Sequence, residues 1–183
     1  MFDLRRTCDY VIYRFPSPID IWSQSLGASC DVLYKYDVNM AAEENKALVR
    51  RYIEVVWNQR NTAALDELLA PTYQRYVSAT TTPLTSEGQR QRIAGFHTAF
   101  PDLHFTIEDL FAEGDRVTFR ATLRGTHKGP FPYLQGMAPT GKQVTVSVLD
   151  VVRVEEGKFA EQWGGPDSLD LLQQLGATFS HAK

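Results

Sequence analysis

The hydrophobic pattern changes period once along the chain, near Pro101. From Glu43 to that point apolar residues recur at helical spacing; after it they alternate. In ENKALVRRYIEVVWNQR, Leu48, Tyr52, Val55 and Val56 share one face and Lys and Arg the other, which predicts a helix from Glu43. Asn58-Gln59-Arg60-Asn61 breaks it. Asn61 or Thr62 then caps a short second helix, TAALDELLA, stopped by Pro71. Residues 72–85 are Thr-rich and read as irregular. Ser86-Glu87-Gly88-Gln89 has the form of a capping box. It opens a third helix with Ile93, Phe96, His97 and Phe100 on one stripe.

The second half reads as strands. Leu103, Phe105 and Ile107 alternate with His104, Thr106 and Glu108, and Glu113-Gly114-Asp115 turns the chain. Val117, Phe119, Ala121 and Leu123 alternate with Thr118, Arg120, Thr122 and Arg124. A Gly/Pro-rich loop covers 125–141. Val144, Val146, Val148, Asp150 and Val152 then share a face. Glu156-Gly157 makes a hairpin turn into a last strand at 158–164. Asp167, after Pro166, is the expected N-cap of a short helix, SLDLLQQL, with Gly176 at its C′ position. Helices first and antiparallel strands second describe an α+β fold, with the N-terminal helices covering the apolar face of a curved, mainly antiparallel sheet around a pocket.

Residues 1–42 sustain neither period, although VIYRF is compatible with a short strand. Met40 stands just before the helical pattern. The extension is therefore read either as the product of a start codon assigned too early or as an arm that packs on the domain or a partner. The domain proper is expected over 43–178, with a tail at 179–183.

The bulk composition narrows the function. Hydrophobic content of 43% supplies a real core, and a formal net charge of −3 with no basic run is not the footprint of a general nucleic-acid binder or a polybasic membrane anchor. No apolar run is long enough to span a bilayer, and no signal peptide is read. Cys8 and Cys30 have no metal-ligand or disulfide spacing, so a cytoplasmic protein with reduced thiols and no metal is expected.

LVRRYIEVVWNQRNTAALDELLAPTY, AFPDLHFTIEDLFAEGDRVTFRATLRGTHKG, APTGKQV and EGKFAEQWGGPDSLDLLQQLG, in that order and spacing, resemble the SnoaL-like polyketide cyclases, often called ester cyclases. That family belongs to the nuclear-transport-factor-2-like superfamily. The resemblance covers nearly all of 45–178. It implies an α+β cone, ring closure by an intramolecular aldol reaction without metal or organic cofactor, and a polyketide-like ligand. It also implies an acid/base aspartate six residues after the lysine of the Gly-Lys turn, where this chain has Gly164. A helper histidine of the family falls on Asp150, and a further one on Gln162.

Several side chains are candidates on that basis. Asp150 interrupts an otherwise all-valine face, where an unpaired carboxylate is costly; it is read as the proton-transfer group, or alternatively as a structural carboxylate. His127, in GTHKG, is read as a second catalytic group that orients Asp150 or a substrate oxygen, or else as a strand-end histidine bonded to backbone. Gln162 is a candidate for a ligand carbonyl. Trp57, His97, Tyr73 and Tyr76 are candidates for pocket lining, with aromatic core or satisfied histidine as the alternative, and Trp163 is expected to face away. The leading reading is a cofactor-free cyclase, isomerase or lyase. A non-catalytic small-molecule-binding module, and a dehydratase using an Asp–His pair, stand beside it. Thr145, Ser147, Leu149 and Val151 form a moderately apolar outer face suited to a homodimer.

Overall fold

The strand carrying the all-valine face is the centre of the sheet. A computed structural model describes residues 30–78, 82–131 and 137–177. Contacts divide the chain into two units, Met1–Ala41 and Ala42–Lys183, and the sheet lies in the second. The VIYRF segment, Cys8 and the 179–183 tail lie outside the described residues.

Helix α1 spans Cys30–Arg51 and passes directly into a π-helical segment, Tyr52–Asn58. It therefore starts well before Glu43. Residues 30–51 contain no glycine or proline, so nothing local interrupts a helix once formed. The buried stripe is Val49, Tyr52, Ile53, Val56 and Trp57, with Leu48 and Val55 at its margin. A 3₁₀ turn, Thr62–Ala64, and helix α2, Leu65–Leu68, follow. Asn61 precedes the turn without a side-chain cap.

Strand β1 then runs Leu69–Tyr76; it takes Leu69 and Ala70 from the end of the expected second helix and continues into the stretch that the sequence pattern leaves irregular. Helix α3 is Ser86–Ala99. Its cap is Thr85, one residue before the expected Ser86, and the Thr85 side chain accepts from the Gly88 N–H. Strands β2 (His104–Glu113), β3 (Arg116–Thr126), β4 (Gln143–Glu155) and β5 (Lys158–Pro166) follow, and helix α4 (Ser168–Leu175) closes the described chain. Asp167 caps α4 by accepting from Asp170 N–H, and Gly176 takes the left-handed conformation at its end.

The sheet order is β1-β5-β4-β3-β2, antiparallel except for β1 beside β5. The sheet is curved and unclosed. Burial along β4 alternates strictly from Gln143 to Val148 and keeps the same inward set through Val154. Val144, Val146, Val148, Asp150 and Val152 all face the helices. The β4–β5 turn places Glu156 (φ 50°) and Gly157 (φ 71°) both at positive φ, the conformation that matches the twist of a two-residue hairpin. Tyr52, Trp57, Phe96, Phe100, Phe105, Phe119 and Phe159 fill the space between sheet and helices. Among the described residues no helix is long and apolar enough to cross a membrane.

Candidate active site

Strand register explains how a buried ionic network forms around Asp150. On β4, Asp150 lies opposite Gly164 of β5, and Gln162 of β5 lies opposite Arg75 of β1. Asp150 and Arg75 therefore stand on strands separated by β5. Such strands are about 10 Å apart, two interstrand spacings. The side chain of Arg75 covers that distance, and Gly164 leaves bare backbone in between. Arg75 Nη2 lies 3.1 Å from Asp150 Oδ1 and donates also to the Gly164 carbonyl at 3.1 Å. Both side chains are almost fully buried, Arg75 at 2% and Asp150 at 4% exposure.

Gly164 is required at its place. Its φ is +111°, and a Cβ there would lie 2.1 Å from the Leu149 carbonyl oxygen. No side chain fits in this backbone conformation, the acid/base aspartate implied by the resemblance included.

The network extends through neutral groups. Tyr73 O–H donates to Gln162 Oε1 at 2.8 Å, and the Gln162 side chain in turn hydrogen-bonds Asp150. Gln89 Nε2 donates to Tyr52 Oη at 2.7 Å on the helical side. Burial pushes the Asp150 carboxyl above the ordinary aspartate range, while the Arg75 and Arg92 guanidinium groups and the two hydrogen bonds pull it back. Arg75 keeps its proton at any ordinary pH. Asp150 is thus a carboxylate made more basic by dry surroundings and anchored by a fixed cation.

A cavity of about 370 Å³ opens beside this network. Arg92 and Phe96 of α3, Val77, Leu84, Phe131, Gly164, Gly165 and Pro166, and Leu171 and Leu172 of α4 are among the residues that line it. A narrow crevice shares Arg92, Phe96 and Pro166 with the cavity and runs to Trp57, Arg75 and Asp150. The Arg92 guanidinium lies 4.8 Å from the Phe96 ring centre and 5.9 Å from that of Trp57. It sits between the open cavity and the buried carboxylate.

The other sequence candidates separate. Trp57 lines the crevice. Tyr73 and Gln162 are buried in the network and do not line the cavity. Tyr76 is not pocket wall: it faces the opposite side of the sheet, stacked on Trp163 at 3.7 Å and 6°. Tyr73 and Tyr76 are three residues apart on one strand, so they point to opposite faces. His97 is half-buried, its Nε2 2.9 Å from the Trp57 carbonyl, and so ties α3 to the end of the first helical segment. Burial lowers its affinity for a proton.

His127 is buried. Its Nδ1 accepts from Thr140 N–H at 3.2 Å, and its ring packs on Phe100. Asp150 pairs with Phe119, and His127 lies eight residues farther along the chain. At about 3.3 Å per residue that separates them by roughly 25 Å along the strand direction. An Asp150–His127 pair does not form.

Arg75, Arg92 and Gln89 carry no signal in a hydrophobic pattern and are not among the sequence candidates for the site; Gln89 enters there only as part of a capping box. Their traces are weak: Arg75 alternates with Tyr73, and Gln89 and Arg92 precede Phe96 at helical spacing on its buried side.

Comparisons with known proteins agree with this architecture. The family model described as "SnoaL-like polyketide cyclase" matches residues 46–175. The structure of TsrD from Streptomyces laurentii is 30% identical, covering 74% of this chain and 97% of that one, with a TM-score of 0.64. AclR, a putative hydroxylase from Streptomyces galilaeus, is 29% identical over 78% of this chain and 87% of its own, with a TM-score of 0.66. IdmH, a putative polyketide cyclase from Streptomyces antibioticus, is 29% identical over 73% and 99%, with a TM-score of 0.64. No curated protein matches the sequence at a significant level. With a match across the whole sheet and its covering helices, the chain belongs to the SnoaL-like polyketide cyclase family.

Proposed function

We propose that this protein is a cofactor-free small-molecule enzyme that moves a proton at a carbon next to a carbonyl, with Asp150 as the base. The carrying observation is the Asp150 carboxylate, buried at the end of a crevice behind an apolar cavity and held by Arg75 and Gln162. A carbon acid needs a base whose proton affinity is raised toward working pH, and burial supplies that. An enolate needs positive charge or hydrogen-bond donors near its oxygen; Arg92, between cavity and crevice, places positive charge there. The substrate is a polyketide-like, largely apolar molecule, the protein acts in the cytoplasm, and two copies pair through the outer sheet face. The family model and the two-cysteine composition support this reading.

The test is exchange of α-hydrogens for deuterium in a panel of enolisable ketones and esters, followed by proton NMR. The native protein is expected to accelerate exchange for at least one member. Asp150→Asn is expected to lose about a hundredfold or more of that acceleration, the usual scale of a positioned acid or base. Unchanged exchange in Asp150→Asn would reject Asp150 as the base.

A second reading has its own observation. The position of the family's acid/base aspartate is a glycine that cannot accept a side chain, which favours a binding module using the same cavity. Ligand binding without exchange in any panel member would select it.

A further inference from the structure

Gln162 sits on β5 between polar side chains of both neighbouring strands. On β1 it is paired with Arg75, and Tyr73 lies two residues before Arg75. On β4 it is paired with Val152, and Asp150 lies two residues before Val152. Residues two apart on a strand point the same way, so Tyr73, Gln162 and Asp150 form one inward-facing row across three strands. All three are buried, at 2%, 1% and 4% exposure. Tyr73 O–H donates to Gln162 Oε1 at 2.8 Å, and the Gln162 side chain also hydrogen-bonds Asp150. An ionised carboxylate only accepts, so the bond to Asp150 comes from the Gln162 N–H2.

The ends of the row set its direction. Burial pushes the Tyr73 hydroxyl well above the ordinary tyrosine range, so it keeps its hydrogen. The Arg75 guanidinium lies beside Tyr73 and has donors only. The hydroxyl therefore turns its lone pairs to Arg75 and its hydrogen to Gln162. An amide turned the other way would aim its N–H2 at a hydroxyl whose lone pairs face Arg75, and its carbonyl at the Asp150 carboxylate. Two acceptors facing each other in a dry site are unfavourable.

We propose that Tyr73 is a positioning residue of the site: its hydroxyl holds the Gln162 amide with its N–H2, and not its carbonyl, toward the Asp150 carboxylate. The proposal rests on Asp150 being the base and names the group that keeps it ready. The charged groups near Asp150 are Arg75 of β1 and Arg92 of α3, and both keep their charge at any ordinary pH. On β3 its partner is the apolar Phe119. The orientation of the amide therefore decides which form of the carboxyl this neighbour favours. An N–H2 favours the carboxylate; a carbonyl favours the protonated acid, which cannot take a proton from carbon.

The experiment follows the Asp150 carboxyl of the full chain by carbon-13 NMR titration, beside the pH profile of α-hydrogen exchange. In Tyr73→Phe the amide loses its anchor, and the Asp150 midpoint is expected to rise by about one pH unit, the size of one hydrogen bond to a charge. A higher midpoint leaves less carboxylate at a given acid pH. The acid limb of the exchange profile is therefore expected to move up by the same amount, with the loss of rate shrinking as pH rises. A merely structural loss lowers the rate alike at every pH. Gln162→Leu is expected to raise the midpoint similarly, and adding Tyr73→Phe to it is expected to raise it no further. In the native chain the Gln162 side-chain N–H2 signals are expected to shift with the Asp150 midpoint, and this measurement decides even if the variants do not fold. An unmoved midpoint in Tyr73→Phe, a further rise on the Gln162→Leu background, or amide signals indifferent to the Asp150 titration would overturn the proposal. A raised midpoint in Tyr73→Phe with no exchange by the native chain would keep the clamp and remove proton transfer. Exchange that Asp150→Asn abolishes, with an unmoved midpoint in Tyr73→Phe, would remove the clamp and keep Asp150 as the base.

Discussion

Arg75 and Asp150 join two strands that are not neighbours, and the pairing is buried from water on both sides. Removing one partner of such a pair leaves the other charge uncompensated. Arg75→Met is therefore expected to cost about 3–5 kcal/mol in urea unfolding near neutral pH. The pH dependence has a definite sign. Burial lifts the folded-state pKa of Asp150 above its ordinary 3.8. Between those two values the folded chain binds more protons than the unfolded one, so this group's contribution to stability falls as pH rises through the window. Without Arg75 the folded value rises further and the window widens. The cost of Arg75→Met is expected to shrink on acidification from neutral pH, as Asp150 takes up a proton. A cost that stays constant would show that the carboxylate is not the group left stranded. Asp150 is legible in the sequence because it breaks a run of inward valines. Arg75 is not, because a buried arginine has the same letter as a solvated one and only its partner distinguishes them.

At the scale of elements, strand β1 escapes the sequence pattern because Pro71 lies near its start and its pairing with β5 is irregular. The register shifts between Leu69 and Gln74. Proline has no N–H for the ladder and is tolerated at such a break. Strand β5 is legible as far as Gly164, where the two glycines look like an ordinary end. The structure shows that the first of them has a mandatory conformation. Gly164→Asp restores the carboxylate that the family resemblance implies, yet it is expected to destabilise the fold by at least about 1–3 kcal/mol from backbone conformation alone. The contact with the Leu149 carbonyl adds to that cost. Gly164→Ala is expected to show most of the same loss in thermal unfolding. A variant as stable as the native chain would mean that β5 relaxes at this point.

For the molecule as a whole, the outer sheet face exposes Leu149 at 60% and the Trp163–Tyr76 stack beside it. The proposed homodimer covers this face. Light scattering at micromolar concentration is expected to give about twice the 20.7 kDa chain mass. Leu149→Arg is expected to reduce it to one chain mass with an unchanged circular dichroism spectrum. A native chain that scatters as a monomer would reject the pairing. The part of β4 that runs past the end of β5 is already occupied by the chain itself: Gln174 of α4 donates to the Thr145 carbonyl and accepts from its N–H, each at 2.9 Å. This leaves the flat face, and not that edge segment, for a partner.

Strand β1 aside, the sequence by itself determined the order of helices and strands, the inward set on β3 and β4, the β4–β5 hairpin and the cap and stop of α4. Each depends on residues a few positions apart: a period of two, a pair of turn residues, a side chain reaching its own helix end. Asp150 belongs to the same class, since its neighbours at two-residue spacing define its surroundings. Only the tertiary structure decided which groups meet it. The β1-β5-β4 order brings Arg75 across a bare glycine, α3 adds Arg92 over the cavity, and strand length carries His127 away from Asp150. The Arg75–Asp150 contact joins residues 75 positions apart in the chain, and the free energy of pairing charges in a dry site arises only once the sheet has put them together.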